Sequence, residues 1–256
     1  MGCNFSCRFC QNHSISMVKD EKEIQGNKLS PERLLALARK NRAHSISYTY
    51  TEPTVFFELV LETAKLARSA GIRNVLVSNG YMTPKALSLL APFLDGANID
   101  LKSFSDAFYR KFCSARLQPV LETISAMKSM GIWLEVTTLL IPGLNDDRRE
   151  ILDLISFLRQ VDENIPWHVS RFFPQHQLLE IEPTTAASIH DVLRLGASQG
   201  LKFTYGGNLA DSSWSNTRCP SCQETLIARS GYHSEILGIL RGCCRFCGDR
   251  VAGIWE

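Results

Sequence analysis

The stretch Cys3-Asn4-Phe5-Ser6-Cys7-Arg8-Phe9-Cys10 places three cysteines within eight residues, separated by three and then two residues. Thiolates at this density can bind one metal centre from a single loop, because the chain need not leave the loop and return. A four-iron, four-sulfur (4Fe–4S) cluster is usually held by four cysteines, so a local set of three would leave one iron open to another ligand. Catalytic metal sites likewise keep a coordination position free, whereas structural zinc sites are closed. A zinc knuckle completed by a second cysteine pair and three unrelated buried thiols are the alternatives that the spacing leaves open.

Size and composition are those of an ordinary globular protein. The chain has 256 residues, of which 45% are hydrophobic and 21% charged, with a net charge of +2. Such a chain can bury a full core in one or two domains, and its small net charge gives no argument for a nucleic acid or an anionic membrane as a partner. No apolar run approaches the ~20 residues that span a bilayer.

Cysteine usage indicates metal binding. All nine cysteines except Cys113 fall in two clusters, one towards each end of the chain. Without a secretory signal, clustered cysteines favour metal ligation over disulfides, so we predict a cytoplasmic protein. Cys113 stands alone after a helical stretch, and burial as a small hydrophobic residue is the commonest meaning of such a cysteine.

The second cluster contains two CxxC pairs, Cys219/Cys222 and Cys244/Cys247, with 21 residues between them. Paired CxxC motifs predict a tetrahedral zinc ribbon with four thiolate ligands, and a second iron–sulfur cluster is the alternative. Cys243 is out of phase with the second pair, and we interpret it as a spare cysteine. The composition changes at residues 211–216, so we predict a zinc-ribbon-like module over 211–256.

Residues 1–210 alternate between predicted strands and helices. The predicted strands cover residues 44–50, 74–78, 97–101, 133–141, 167–172 and 201–205. Such alternation is typical of a parallel α/β barrel or sheet.

Charged or turn-forming side chains stand at the ends of several of these strands. In parallel sheets and barrels, ligands bind at the carboxyl ends of the strands. The residues in these positions are Glu52, Asn79, Asp100, Lys102 and Arg171. For each residue alone, a solvent-exposed position in a loop is the alternative interpretation. Because all of them are expected at the same edge of the sheet, the sequence favours a ligand site there.

The cysteine spacing, with an aromatic residue before the last cysteine, resembles that of the radical S-adenosylmethionine (SAM) enzymes. The resemblance becomes closer with the segments TYTEPTVFFE, SNGYMTPKAL, NIDLKSF, EVTTLLIPGLND and WHVSRFFP and the final cysteine pairs. These motifs resemble, in order and over almost the whole chain, the radical SAM component of the AmmeMemoRadiSam system. That group is related to pyruvate formate-lyase activating enzymes.

The resemblance implies a partial (β/α)6 radical SAM barrel and a 4Fe–4S cluster on Cys3, Cys7 and Cys10. SAM would chelate the open iron through its amino and carboxylate groups. The reduced cluster would cleave SAM to methionine and a 5′-deoxyadenosyl radical, which abstracts hydrogen from a protein or a small molecule. No side chain is assigned as catalytic, because in cofactor enzymes the cofactor carries the hard chemistry. The expected cofactors are the 4Fe–4S cluster, SAM and zinc.

Cofactor-contacting residues also follow from the resemblance. Glu52 falls where the superfamily's Gly-Gly-Glu segment meets the SAM amino group, with Tyr50 and Thr51 in place of the two glycines. Asn79, Asp100 and Lys102 match positions that face the SAM carboxylate and ribose, and adenine contacts are expected at Phe9 and Gln11. The full expected set is Phe9, Gln11, Thr51, Glu52, Asn79, Asp100, Lys102 and Arg171.

One position departs from the family pattern. The family often has a histidine where Phe173 stands here, which puts the role of that histidine in doubt. His176 is a nearby substitute, with a surface-loop histidine as the favoured interpretation. The remaining histidines, His13 among them, have no metal-ligand spacing and are interpreted as structural.

The resemblance also implies partners. These are an electron donor such as flavodoxin or ferredoxin and proteins with Memo-like and AMMECR-like domains, with neither a nucleic acid nor a membrane among them. The alternative function is an iron–sulfur and zinc binding module that acts in assembly or regulation without turnover. A 5′-deoxyadenosine assay distinguishes the two.

The short segment before Cys3 leads to a further expectation about the first strand of the barrel. In the superfamily the cluster loop follows the first strand, but only Met1 and Gly2 precede Cys3, and a strand takes about 5–6 residues. We therefore expect the barrel to lack its first strand, with residues 44–50 at an open edge and Cys3 as the least well anchored ligand.

Overall fold

The computed structural model describes residues 1–18, 20, 27–210 and 213–255. Six strands follow one another in chain order in one sheet. The first three strands pair in parallel with one another, and so do the last three. The six strands are β1 (Ser45–Tyr48), β2 (Arg73–Ser78), β3 (Gly96–Asp100), β4 (Trp133–Leu140), β5 (Trp167–Arg171) and β6 (Thr204–Gly207). The predicted parallel α/β fold is confirmed.

Helices connect these strands. They are α1 (His13–Ser16), α2 (Pro31–Lys40), α3 (Phe57–Ser69), α4 (Pro84–Leu90), α5 (Asp106–Phe108), α6 (Gln118–Ser129), α7 (Arg148–Asp162) and α8 (Ala186–Ser198). Their starts follow local chemistry, because the side chains of Ser30, Thr83 and Thr185 each accept a hydrogen bond from a backbone N–H in the first helical turn. Such caps satisfy backbone donors that the helix leaves without a partner.

The chain divides into two compact units, residues 1–134 with 174–180 and residues 135–173 with 181–256. The predicted boundary at Asp211-Ser212 lies outside the described residues, and the division into 1–210 and 211–256 stays a prediction. Across the described part of the chain, no helix is long and apolar enough to cross a membrane.

The core of the first unit lies between its strands and helices. Leu76, Ile99 and Leu101 are at most 1% exposed, as are Ala64 of α3 and Ile124 of α6. Burial alternates along β2, as expected of a strand whose successive side chains point to opposite faces. Full burial of each large aliphatic side chain contributes about 1.5–3 kcal/mol.

The first strand is shorter than predicted. Tyr50 has φ +73°, a left-handed conformation that ends the extended path, so β1 stops at Tyr48. β1 stands at one end of the strand order. The chain before the cysteines is nevertheless bonded in place, because Gly2 N donates to Ile15 O at 3.1 Å and Glu52 N donates to Gly2 O at 3.0 Å. Gly2 therefore anchors the chain beside Cys3 to two other segments, and the ranking of Cys3 as the least well anchored of the three ligands stays a prediction.

A π-helical turn replaces part of a predicted helix. The sequence predicts a helix over residues 106–111, but α5 ends at Phe108 and a π turn covers Tyr109–Cys113. Ser114 then takes a left-handed conformation with φ +56°. Tyr109, Phe112 and Cys113 are buried by this turn.

Short antiparallel strands build the end of the second unit. β7 (Thr217–Arg218), β8 (Thr225–Ser230) and β9 (His233–Ile236) form a three-stranded sheet, and β10 (Ile239–Leu240) pairs with β11 (Cys243–Cys244). Their core contains Phe203, Leu226 and Val251 together with Cys219 and Cys244.

Candidate cofactor site and four-cysteine centre

The three-cysteine loop lies against the π turn of the first unit. Ser6 N donates to Cys113 O at 3.0 Å and Arg8 N donates to Phe112 O at 2.9 Å. Phe5 is 3% exposed, and its ring meets the edges of Tyr81 and Tyr109. The backbone path that carries the cysteines is therefore fixed by the protein itself.

Polar groups lie beside two of the loop's cysteines, and a third thiol lies beside the other. Cys3 Sγ accepts from Phe5 N at 3.4 Å and from Asn79 Nδ2 at 3.7 Å. The Cys10 and Ser16 side chains are 3.2 Å apart. The thiol of Cys7 lies near that of Cys113, close enough for each to affect the pKa of the other.

Two thiols of the loop have raised pKa values. Burial raises the pKa of Cys3 to about 11. The pKa of Cys7 is also raised, first by the neighbouring thiol of Cys113 and then by burial. Because a metal binds the thiolate, loading of this loop must release protons.

Cys113 is fully buried, as predicted for an isolated cysteine. Its contact with Cys7 was not foreseen, because nothing in the local pattern around residue 113 signals a partner more than 100 residues away.

Glu52 is the most constrained side chain of the site. It is 3% exposed. Its Oε1 accepts from Thr54 N at 3.1 Å, Thr54 Oγ1 at 3.0 Å and Ser78 Oγ at 2.8 Å, while Oε2 accepts from Asn79 N at 2.9 Å. Burial raises the pKa of Glu52, and these hydrogen bonds partly oppose the rise. Glu52 thus joins the ends of β1 and β2 and keeps Oε2 the less occupied oxygen.

Asn79 connects the second strand to the cysteine loop. Its Nδ2 donates to Asn4 Oδ1 at 2.7 Å, and its Oδ1 accepts from Tyr81 N at 2.9 Å. The following Gly80 has φ +73°, and a Cβ there would lie 2.8 Å from Ile99 Cγ2. Only glycine fits this turn without displacement.

Lys102 places a positive charge beside the cysteine loop. Its Nζ bonds Asp100 Oδ2 at 3.0 Å and lies 6.0 Å from the centre of the Phe9 ring. Burial lowers the pKa of Lys102, but the negative charge of Asp100 and, when they are ionised, the thiolates of Cys7 and Cys113 outweigh it, so the pKa is raised. Lys102 therefore stays charged beside the thiols.

The other expected contacts have mixed surroundings. Phe9 is 4% exposed and packs against Phe108, with ring centres 5.8 Å apart, whereas Gln11 is exposed and Thr51 half-buried. Arg171 belongs to the second unit, where its Nε donates to Thr184 O at 2.7 Å and its guanidinium lies over the Phe173 ring. Their cofactor roles stay predictions.

His176 is not the plain surface-loop histidine that the sequence favoured. Its ring stacks on His13 with centres 4.6 Å apart, and its Nε2 is buried without a partner in the described structure. The adjacent Gln177 N donates to Arg8 O at 2.9 Å, so this segment runs along the cysteine loop.

The four cysteines of the second unit form a compact donor group. The Sγ atoms of Cys219, Cys222, Cys244 and Cys247 all lie within 4.8 Å of one another. The Cys219–Cys247 and Cys222–Cys244 pairs are each separated by 3.6 Å. Burial raises the pKa of Cys244, but the backbone N–H groups of Cys247 and Phe246 and the neighbouring thiols lower it to about 7.

The donor chemistry of the cysteine loop fits an iron–sulfur cluster. Three thiols on one fixed loop, two beside polar groups and one beside another thiol, resemble the surroundings of cluster ligands, whose sulfurs accept hydrogen bonds. The buried carboxylate of Glu52 and amide of Asn79 beside Cys3 suit a polar ligand next to such a centre. Asn4, Ser16 and Cys113 were missed by the sequence reasoning, because a hydrogen bond to a cysteine has no local pattern.

Comparisons with known proteins identify the family. The description "Radical SAM superfamily" matches residues 1–155. An uncharacterized protein of Methanocaldococcus jannaschii is 39% identical over 253 residues, covering 98% of this chain and 75% of that protein. The isethionate sulfite-lyase activating enzyme of Nitratidesulfovibrio vulgaris is 25% identical over 122 residues, covering 46% of this chain and 40% of that enzyme.

A solved structure shares the fold. A domain of the pyruvate-formate lyase-activating enzyme from Bacteroides vulgatus superposes with a TM-score of 0.54 at 17% identity, covering 64% of this chain and 99% of that chain. The family match spans more than half of the sequence and includes the three-cysteine loop, Glu52, Asn79 and Lys102. The chain therefore belongs to the radical SAM superfamily.

Proposed function

We propose that this protein is a radical SAM enzyme of the AmmeMemoRadiSam group, which reductively cleaves SAM and uses the product radical to abstract hydrogen from a protein or small-molecule substrate. The observation that carries the proposal is the direct bonding of the cysteine loop to a polar pocket. Asn79 bonds both Cys3 and Asn4, and its backbone N–H bonds Glu52. A loop that only stored a cluster would need no buried carboxylate at its edge.

Cys3, Cys7 and Cys10 would hold the 4Fe–4S cluster and leave its fourth iron to SAM. When bound, the cluster supplies one electron that breaks the S–C5′ bond of SAM, giving methionine and a 5′-deoxyadenosyl radical. Glu52 would accept a charge-assisted hydrogen bond from the SAM ammonium at Oε2, which has one donor against three at Oε1. Such bonds are about twice as strong as neutral ones.

The proposal includes partners. A flavodoxin or ferredoxin would supply the electron, and Memo-like and AMMECR-like proteins would act with the enzyme. The activating enzyme among the relatives makes another enzyme one candidate for the protein substrate.

The test is anaerobic reconstitution followed by incubation with SAM and dithionite, with 5′-deoxyadenosine and methionine measured by mass spectrometry. Wild-type protein should form both products in equal amounts, and the Cys7→Ala variant should form neither. Cys243→Ala is the control, since it also removes a cysteine thiol but lies outside the cysteine loop. A wild-type protein with a full cluster and no 5′-deoxyadenosine would instead support the binding module without turnover.

We further propose that the four-cysteine centre holds a structural zinc ion. Tetrahedral zinc binds thiolates at about 2.3 Å, which places neighbouring sulfurs about 3.8 Å apart. The two 3.6 Å pairs agree with this spacing. The four ligands of a 4Fe–4S cluster each bind a different iron and are held farther apart, which disfavours a second cluster here.

A further inference from the structure

We propose that Ser16 and Cys113 are positioning residues that donate hydrogen bonds to the cluster-bound thiolates of Cys10 and Cys7 and thereby raise the reduction potential of the cluster. The inference rests on the proposed function only in requiring the cluster on this loop. It adds two residues that lie outside the three-cysteine motif.

Ser16 is fixed beside Cys10 by the helix that follows the loop. It ends α1, is 6% exposed, and its backbone N donates to Asn12 O at 2.9 Å. Its hydroxyl lies 3.2 Å from Cys10 Sγ. A metal-bound thiolate has no proton, so in the loaded protein the hydroxyl is the donor.

Cys113 holds the equivalent place beside Cys7. It is completely buried at the end of the π turn, and its carbonyl accepts from Ser6 N at 3.0 Å. This backbone bond fixes Cys113 against the residue that precedes Cys7. Its thiol neighbours that of Cys7, and with Cys7 bound to iron the S–H of Cys113 is the group that can donate a hydrogen bond between the two sulfurs.

Hydrogen bonds to ligand sulfurs withdraw electron density and favour the more negative, reduced cluster, which is one way that proteins set cluster potentials. The donors to Cys3 are less suited to a test. Phe5 donates through its backbone, and Asn79 belongs to the proposed SAM pocket. Ser16 and Cys113 are side chains outside that pocket, so each can be changed alone.

The experiment is an anaerobic redox titration of the reconstituted full chain without SAM, followed by electron paramagnetic resonance. Ser16→Ala and Cys113→Ala should each shift the midpoint potential to more negative values at unchanged iron content. Cys113→Ser restores a donor and should lie between Cys113→Ala and the wild type. Ser14→Ala, an exposed serine on the same helix, should leave the potential unchanged.

A second readout follows the protons themselves. Electron–nuclear double resonance of the reduced cluster should show exchangeable proton couplings that disappear in D2O, and each alanine variant should lack one of them. Wild-type potentials and couplings in both Ser16→Ala and Cys113→Ala would overturn the inference. If Cys113→Ala does not take up iron, the midpoint potentials and proton couplings of Ser16→Ala and Cys113→Ser test the inference in its place. Because SAM is absent, a failure of SAM cleavage leaves this result unaffected and counts only against the proposed function.

Discussion

Glu52 is a buried carboxyl group, and its protonation state should control the binding of SAM. Its pKa is raised by burial, so the carboxyl takes up a proton at a pH where an exposed glutamate is still charged. Only the charged form can pair with the SAM ammonium. SAM affinity should therefore be full above the raised pKa and should fall as pH decreases through it.

Glu52→Gln tests this at nearly constant shape. A hydrogen bond between charged groups contributes about 1.5–3 kcal/mol, so the variant should bind SAM about 10- to 100-fold more weakly. Its affinity should also lose the pH dependence. Equilibrium dialysis of the cluster-loaded proteins over a pH series provides the measurement. Iron content is the control, and an unchanged affinity would show that Glu52 does not contact SAM.

Tyr50 has a backbone conformation that glycine adopts more easily than any other residue. Its φ of +73° is a conformation that costs an ordinary residue about 1–2 kcal/mol, and its side chain is 76% exposed. Tyr50→Gly should remove that strain while losing little packing. The greater flexibility of glycine in the unfolded chain offsets about 0.5–1 kcal/mol of this gain, so we expect the variant to be more stable by at most about 1.5 kcal/mol. Denaturant unfolding measures it, and a clear loss of stability would mean that the tyrosine ring contributes contacts.

At the level of elements, the turn between β2 and α4 carries the site. Gly80→Ala adds a Cβ 2.8 Å from Ile99 Cγ2 at φ +73°, whereas Gly71→Ala adds one in open space at φ +72°. The two variants share backbone strain and differ in the clash, which should cost about 1–3 kcal/mol more at residue 80. Comparison of their unfolding free energies isolates this difference. SAM affinity should fall in Gly80→Ala alone, since Asn79 shifts with the turn.

The alternation of elements was predictable from the sequence, but the details of their ends were not. Strands 73–78, 96–100 and 133–140 lie within one residue of their predictions, because apolar runs between glycine and proline breaks mark them. β6 begins at Thr204, later than predicted, and ends at Gly207. The π turn at 109–113 was unpredictable, since its hydrogen-bond spacing depends on the loop that it supports.

At the level of the whole molecule, the sequence located two groups of cysteines as candidate metal sites and missed how they are supported. The cysteine spacings marked both groups, and the strand ends marked Glu52, Asn79 and Lys102 as candidate site residues, whose cofactor roles stay predictions. The partners Ser16, Asn4 and Cys113 come from residues whose types have many other uses. Their roles arise only when the fold brings distant segments together.

Zinc removal should affect the second unit and spare the cluster. Small zinc modules take much of their folding free energy from the metal, and only a modest core surrounds these cysteines. The double variant Cys222→Ser/Cys244→Ser should lose about one zinc per chain and keep its iron. Hydrogen exchange should then increase over residues 217–251. Elemental analysis checks the stoichiometry, and a second set of irons in place of zinc would contradict the assignment.

The π turn under the cysteine loop contains, in effect, one residue more than an α-helix would need. Each residue of an α-helix rotates the chain by about 100°, so a single deletion there would change the direction in which every later side chain points. Deletion of the exposed Lys111 should convert residues 105–113 to ordinary α-helix, with helical circular dichroism preserved. The carbonyls of Cys113 and Phe112 would then no longer accept from Ser6 N and Arg8 N, respectively. Iron uptake should fall even though every cysteine is still present. The position of the metal thus depends on a length difference of one residue in a segment that never touches it.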